Sequence, residues 1–395
     1  MIPTLLTNAS LVFPGERTMP GSLLLSGGMI AAVNPPAAAV PPDARRIDAG
    51  GRRVTPGLID LHTHGIGSWL YEQSPESLLA GLAFLGRFGT TCVLPTLYRV
   101  MNRPSLPHLD ALSRALASAR GAAVPGWHLE GPFLRLPGAG ADTIPGDLGL
   151  LDEILAATQG RTRAMSVSPD TPGILPVIER LVERGITPFI THTRASVEET
   201  ERAIDAGARH ATHFYDVFPL PEVREPGVRP CGAVEAILAD PRCRVDFICD
   251  GVHVEPVAVR AALAAKGPGG VVLITDSNIG AGLPDGVYPT TFGFPVRVAA
   301  GNAARIHDPR HPHHGSLAGS ALTMDVGIAN LHRWLRLPPE QIWALGTSSP
   351  AAVVGLDRKG SLRVGADADV VLWNDDFTAH TTWVGGEVVW SAASA

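Results

Sequence analysis

The sequence predicts an α/β protein, a (β/α)8 TIM-type barrel with a small β-sandwich domain built from both termini. Eight short β-rich runs follow one another through the middle of the chain, and each precedes a loop or a helical pattern. Short apolar segments separated by turns occupy both ends of the chain. We therefore expect a β-sandwich of residues 1–55 and 359–395, and a barrel of residues 56–358.

The two ends of the chain have the same pattern of short strands and turns. TLLTNASLVFPG and GSLLLSGGMIAAV near the start are matched by GSLRVGADADVVLWNDD and TTWVGGEVVW near the end. Apolar runs bounded by glycine, asparagine and aspartate are typical of short strands. We expect the two ends to join in one β-domain.

The central runs supply the eight strands of the predicted barrel. They are LIDLHTHG (58–65), TTCVLPTL (90–97), GWHLEGPF (126–133), RAMSVSPD (163–170), TPFITHT (187–193), HATHFYDV (210–217), RVDFICDG (244–251) and VVLITDSN (271–278). The helices between them carry start signals. Ser196, with Glu199 three residues later, forms a capping-box pattern before VEETERAIDAGA.

Composition narrows the class of protein. The chain has 395 residues, of which 45% are hydrophobic and 18% charged, a globular profile. Its net charge of −6, without a long basic run, does not indicate a nucleic-acid or anionic-membrane partner. The four cysteines form no C-x-x-C pair, and neither a signal peptide nor an apolar run of about 18 residues is visible. We therefore expect a cytoplasmic protein.

The His-rich segment HDPRHPHHG (307–315) is interpreted as a solvated loop.

Two histidines stand at the end of the first predicted barrel strand. His62 and His64 share one face, because successive side chains on a strand point to opposite sides. A pair of imidazoles on one face can hold a metal ion. Two histidines satisfied by hydrogen bonds explain this stretch equally well when it is taken alone.

Further metal-capable side chains lie at the ends of other predicted barrel strands. They are Glu130, His192, His213, Asp250 and Asp276. The carboxyl ends of barrel strands meet at one mouth, where active sites lie. Each residue alone has an ordinary structural explanation, but seven such side chains at one mouth predict a metal site.

Several motifs together resemble a known family. They are PGLIDLHTHG, GTTCVLPTL, GWHLEGPFL, HATHFYDVF, REPG, ICDGVHV, LITDS and GSLAGSALTMD. They resemble the amidohydrolase superfamily and, within it, the deacetylases of N-acetylglucosamine 6-phosphate. The resemblance runs from about residue 54 to 372 and implies metal-dependent hydrolysis of the N-acetyl amide of an amino sugar phosphate.

The resemblance also implies roles for the strand-end residues. Glu130, His192 and His213 resemble the main metal ligands, and His62 with His64 resembles the pair that can hold a second ion bridged by Glu130. One or two divalent ions per subunit are implied. Zinc suits this ligand set, and iron or another first-row ion remains open.

Chemistry explains why a metal and a carboxylate are needed together. A divalent metal lowers the pKa of water and polarises an amide carbonyl, and a second group must move the proton. Asp276 resembles the catalytic aspartate, and it could be a metal ligand, an acid/base or both.

Two residues resemble phosphate binders. Arg224 lies in REPG and His253 in DGVHV, whereas Asp250 is expected to orient the loop. In the family the arginine reaches the site of a neighbouring subunit, which implies a homodimer. An ordinary surface ion pair is the alternative for Arg224.

The sequence departs from the family in two segments that touch the sugar. Asp216, Val217 and Phe218 stand where the family has Asn-Ala-Met, and residues 137–146 lack a histidine that the family has. Asp216 and Phe218 are therefore candidate substrate contacts. Deacylation of a different N-acyl amino sugar, hydrolysis of another amide, and non-catalytic binding of a metal or sugar remain alternatives.

Overall fold

The computed structural model describes residues 2–138, 141–223, 225–291, 293–299 and 303–392. A parallel barrel and a sheet formed by both ends of the chain organise these residues. Within them, no helix has both the length and the apolar character needed to cross a membrane.

The barrel consists of parallel strands that lie side by side in chain order. Barrel strands 1 to 8 are, in order, Leu58–Thr63, Thr90–Leu97, Trp127–Glu130, Thr162–Val167, Thr187–Ile190, His210–Ala211, Arg244–Ile248 and Val271–Ile274. Each overlaps one of the predicted runs, so the predicted barrel is confirmed. Several runs extend past the strand into the following loop. His192, His213 and Asp276 consequently lie just beyond strand ends.

Barrel strands 8 and 1 close the barrel through a small number of contacts. The backbone N–H of Asp276 donates to the carbonyl oxygen of His62 at 2.8 Å. The buried carboxylate of Asp60 also crosses this seam, and accepts from the Thr275 hydroxyl at 2.6 Å. Its other oxygen accepts from the backbone N–H groups of His62 at 3.2 Å and Thr275 at 3.3 Å. Asp60 therefore holds together the two strand ends that carry His62 and Asp276.

Helices connect the barrel strands and cover their outer face. The α-helices are Pro75–Phe84, Leu106–Ala115, Leu148–Ala157, Ile174–Glu183, Val197–Asp205, Ala233–Ala239, Pro256–Lys266, Met324–Trp334, Pro339–Leu345 and Ser348–Val353. The predicted capping box is present. The Ser196 hydroxyl accepts from the Glu199 N–H at 3.2 Å, and the Glu199 carboxylate accepts from the Ser196 N–H at 2.9 Å.

Both ends of the chain join in one β-domain, as the sequence predicts, and their strands form one sheet. Its strands are Thr4–Phe13, Arg17–Ser26, Met29–Val33, Arg45–Asp48, Arg53–Pro56, Val370–Trp373, Ala379–Val384 and Glu387–Ser391. The antiparallel pairing of Thr55 with Val371 joins the two ends. Side chains from both ends, including Leu11, Leu23 and Trp383, form a common buried core. The domain boundaries at residues 55 and 359 stay a prediction.

Two small sheets at the barrel mouth were not predicted from the sequence. Gly65–Ile66 pairs with Trp69–Leu70 directly after barrel strand 1. An antiparallel sheet of Gly286–Tyr288, Val296–Ala299, Ala303–Ile306 and Leu317–Ser320 follows barrel strand 8. The segment 307–315 lies between its last two strands as turns that are largely exposed.

The contacts of Asp60 predict that barrel closure depends on this carboxylate. Asp60→Ala leaves three buried donors without their acceptor, and an unsatisfied buried donor costs about 1–3 kcal/mol. We expect the free energy of unfolding in urea to fall by about 2–4 kcal/mol. Asp43→Ala, in an exposed turn of the terminal sheet domain, is the control and should change it by less than about 0.5 kcal/mol. Equal stability of the two variants would contradict the role of Asp60.

Candidate metal and active site

Metal-capable side chains gather at the carboxyl end of the barrel. They are His62, His64, Glu130, His192, His213 and Asp276. Three of them follow a strand in the left-handed backbone region, with φ of 49° at His192, 35° at His213 and 47° at Asp276. Such a conformation is unfavourable for a residue with a side chain and concentrates at functional sites.

The carboxylate of Glu130 lies at the centre of the cluster. Its Oε1 lies 3.2 Å from His192 Nε2 and 3.1 Å from His213 Nε2. Its Oε2 lies 3.3 Å from His64 Nε2 and 3.7 Å from His62 Nε2. One buried carboxylate therefore meets four imidazoles from three different parts of the barrel.

Asp276 lies on the side of the cluster formed by barrel strand 1. Its Oδ1 is 3.2 Å from His64 Nε2 and 3.7 Å from His62 Nε2. Two sets of three potential ligand atoms lie within 4.8 Å of one another, one from His62, Glu130 and His213, the other from His62, His64 and Asp276. The structure thus brings together all six predicted ligands.

The hydrogen bonds of the imidazole rings fit a bound cation. His64 Nδ1 lies 3.2 Å from the Thr96 carbonyl oxygen, and His192 Nδ1 lies 3.1 Å from the Leu136 carbonyl oxygen. A carbonyl oxygen only accepts, so each Nδ1 carries a proton and each ring turns its Nε2 toward the Glu130 carboxylate. Metal-binding histidines are oriented in this manner by their second nitrogen. The ligand types and their orientation therefore fit a divalent metal.

The electrostatics of the cluster favour ionised carboxylates. Burial alone would raise the pKa of Asp276, but His64 and the neighbouring imidazoles outweigh burial and lower the pKa to about 2. Burial likewise opposes ionisation of Glu130, and His62, His192 and His213 nevertheless hold its pKa well below the usual value. Both carboxylates therefore favour the ionised form, which can bind a cation.

A cavity of about 250 Å³ opens from the ligand cluster. Beyond the cluster, its walls include Tyr98, Asp216, His253, Asn278 and Leu317. Of the described residues that line it, none is a lysine or arginine. Such a concave site with convergent polar groups is typical of small-molecule binding.

His253 is held in place by Asp250. The His253 Nδ1 lies 2.7 Å from Asp250 Oδ2, and Asp250 Oδ1 accepts from the backbone N–H groups of Val252 at 2.8 Å and His253 at 3.0 Å. Burial lowers the pKa of His253, but the contact with Asp250 outweighs it and the net pKa is raised. Asp250 orients this loop, and His253 faces the cavity.

One predicted substrate contact does not line the cavity. Phe218 is buried against Phe214, with ring centroids 5.5 Å apart, and does not line the cavity. The chain turns at Val217, which has a φ of 56° and lines the cavity instead. Val217 thus lines the cavity where Phe218 does not, and substrate contact by Phe218 stays a prediction. Arg224 lies outside the described residues, as do residues 139 and 140 of the segment 137–146.

Several residues around the site were not predicted from the sequence. Tyr98 follows barrel strand 2 directly, and its ring lies 4.7 Å from that of His64. Its position after a strand end was the available signal. Buried Asp246 binds His210 Nε2 at 2.7 Å and accepts from the His213 N–H at 2.5 Å. A carboxylate in the middle of an apolar strand gave no indication of that role.

Known proteins resemble this chain along most of its length. The Amidohydrolase family model matches residues 53–389. The N-acetylglucosamine-6-phosphate deacetylase of Vibrio furnissii is 32% identical over 362 residues, covering 89% of this chain and 86% of that protein. The N-acetylgalactosamine-6-phosphate deacetylase of Escherichia coli O157:H7 is 30% identical over 378 residues, covering 93% of this chain and 94% of that protein.

A solved structure extends the resemblance to three dimensions. It is a mutant of the N-acetyl-D-glucosamine-6-phosphate deacetylase of Mycobacterium smegmatis in complex with N-acetyl-D-glucosamine-6-phosphate. The TM-score is 0.85 at 28% identity, and the match covers 99% of this chain and 100% of that one. The likeness therefore includes the barrel and the sheet formed by both ends.

The contact between His192 and Glu130 predicts a metal ligand. His192→Ala should weaken metal binding by more than about 100-fold, the upper range for loss of a group that only orients a ligand. Elemental analysis and metal titration of the purified variant measure this. His332→Ala, at an exposed helical histidine, is the control and should bind metal as the wild type does. Unchanged metal affinity in His192→Ala would exclude this residue as a ligand.

Proposed function

The chain belongs to the amidohydrolase family, and we propose that it hydrolyses N-acetylglucosamine 6-phosphate to glucosamine 6-phosphate and acetate. The main support for this proposal is that four histidines contact the Glu130 carboxylate at the barrel mouth, next to Asp276. Relatives named for this activity support the choice of substrate.

The ligand cluster would hold one or two divalent metal ions, with zinc as the proposed metal. Glu130, His192 and His213 would form the stronger site. His62, His64 and Glu130, with Asp276 nearby, would form the second. A bound divalent metal lowers the pKa of water from about 15.7 to about 7 and polarises a carbonyl. Histidine and carboxylate ligands also accept iron or another first-row ion.

Asp276 would carry the proton between the two halves of the reaction. Its carboxylate accepts a proton from the attacking water and then donates that proton to the leaving amine nitrogen, so that the C–N bond breaks and acetate leaves. The contact of its Oδ1 with His64 Nε2 at 3.2 Å holds the carboxylate toward the cluster. The same contact supports a second role for Asp276 as a metal ligand.

The phosphate would be bound by His253 and Arg224. His253 faces the cavity, where Asp250 fixes its ring. The role of Arg224 rests on the REPG motif alone. Because the corresponding arginine in the family reaches a neighbouring subunit, we propose a homodimer, and we propose that it acts in the cytoplasm.

A different N-acyl amino sugar is the second candidate substrate. The N-acetylgalactosamine-6-phosphate deacetylase among the relatives and the presence of Asp216 in the cavity favour it. Acetate release from a panel of N-acetyl amino sugars, each with and without phosphate, distinguishes the two candidates. Absence of acetate release from every member would favour a non-catalytic relative.

Asp276→Asn tests the proposed proton transfer. The amide keeps the shape of the side chain but accepts no proton, so we expect kcat to fall by about 10²- to 10⁴-fold with fold and metal content retained. Acetate release, thermal unfolding and elemental analysis measure the three quantities. The control, Asp285→Asn, changes an exposed aspartate beyond the same barrel strand. Near-normal kcat in Asp276→Asn would remove this residue from the mechanism.

Arg224→Ala tests the proposed phosphate contact. A charge-assisted hydrogen bond contributes about 1.5–3 kcal/mol, so kcat/KM for the phosphorylated sugar should fall by about 10- to 150-fold. The value for the unphosphorylated sugar should change little. Arg229→Ala is the control, since Arg229 is exposed and lies 2.7 Å from Glu235. An equal loss for both sugars in Arg224→Ala would contradict phosphate binding.

A further inference from the structure

One carboxylate oxygen in the cavity has no partner within the described part of the protein. Asp216 Oδ2 is buried, and no hydrogen-bonding group of the described residues reaches it. Asp216 lines the cavity together with His253. A buried charged oxygen without a hydrogen bond is unfavourable, so a ligand that donates a hydrogen bond there gains affinity.

The backbone of Asp216 holds this carboxylate close to the ligand cluster. Its N–H donates to the His213 carbonyl oxygen at 2.9 Å, and its own carbonyl oxygen lies 3.3 Å from His213 Nδ1. Burial raises the pKa of Asp216 to about 6, and the charges of His213 and His253 act in the opposite direction. Asp216 therefore lines the cavity directly beside the predicted ligand His213, and His253 lines the same cavity.

Asp216 and His253 offer complementary groups to a ligand in the cavity. The carboxylate only accepts hydrogen bonds, whereas a protonated His253 donates them. A hydroxyl group can donate to the first and accept from the second. A phosphate ester at neutral pH is largely an acceptor and carries a charge of about −1.5 to −2, so the Asp216 carboxylate repels it.

From this geometry we infer that Asp216 is a specificity-determining residue that accepts a hydrogen bond from a sugar hydroxyl and reduces the preference for a phosphorylated substrate. The inference rests on the proposed deacetylase function and narrows its substrate class. It implies that the enzyme also uses the unphosphorylated N-acetyl amino sugar, in which a hydroxyl replaces the phosphate ester.

The test compares kcat/KM for N-acetylglucosamine 6-phosphate with that for N-acetylglucosamine. Asp216→Asn keeps the size of the side chain and removes its charge. We expect the ratio of the two values to rise by at least about tenfold, the lower end for a hydrogen bond to a charged group. Asp216→Ser should shift the ratio in the same direction. Asp43→Asn, in the terminal sheet domain, should leave it unchanged.

Binding measurements separate this inference from the proposed function. Calorimetry measures the affinities of both sugars for metal-loaded Asp276→Asn, with and without Asp216→Asn. The ratio of the two affinities gives the preference for the phosphorylated sugar without turnover. If wild-type protein releases no acetate from either sugar, the proposed deacetylation fails, and a tenfold shift in the binding ratio still supports the role of Asp216. An unchanged ratio in folded, metal-loaded Asp216→Asn and Asp216→Ser overturns the inference.

Discussion

The convergence of four imidazoles on one buried carboxylate is the interaction on which the rest of the site depends. Glu130 contacts His192 and His213 through one oxygen and His62 and His64 through the other. A buried carboxylate is stable only when positive charge or donors surround it. Because the four histidines come from barrel strands 1, 5 and 6, this arrangement exists only when the barrel is closed.

Two buried carboxylates beneath the cluster hold its ligands in place. Asp60 ties barrel strand 1 to Thr275, the residue before Asp276, and Asp246 binds the backbone N–H of His213. A group that works on substrate must be fixed by neighbours whose own conformations are constrained. Left-handed backbone at Asp276 and His213 is therefore sustained by hydrogen bonds from the barrel interior.

Sequence patterns predicted the positions of residues at strand ends, which strand geometry determines. They did not predict the positions of residues that depend on loop conformation. Because the carboxyl ends of barrel strands converge, the sequence alone placed five ligands at one mouth of the barrel. They are His62, Glu130, His192, His213 and Asp276. The face on which Phe218 lies depends on the turn at Val217, which no periodic pattern encodes. The position of the sheet that brings Leu317 to the cavity likewise depends on tertiary contacts.

The proposed function requires that acetate release depend on metal held by this cluster. The most direct measurement removes metal with a chelator and titrates the protein with zinc, recording bound metal and acetate release from N-acetylglucosamine 6-phosphate together. Activity should return in proportion to bound metal and level off at one or two ions per chain. Full activity of metal-free protein, or metal uptake without acetate release, would contradict this dependence on metal.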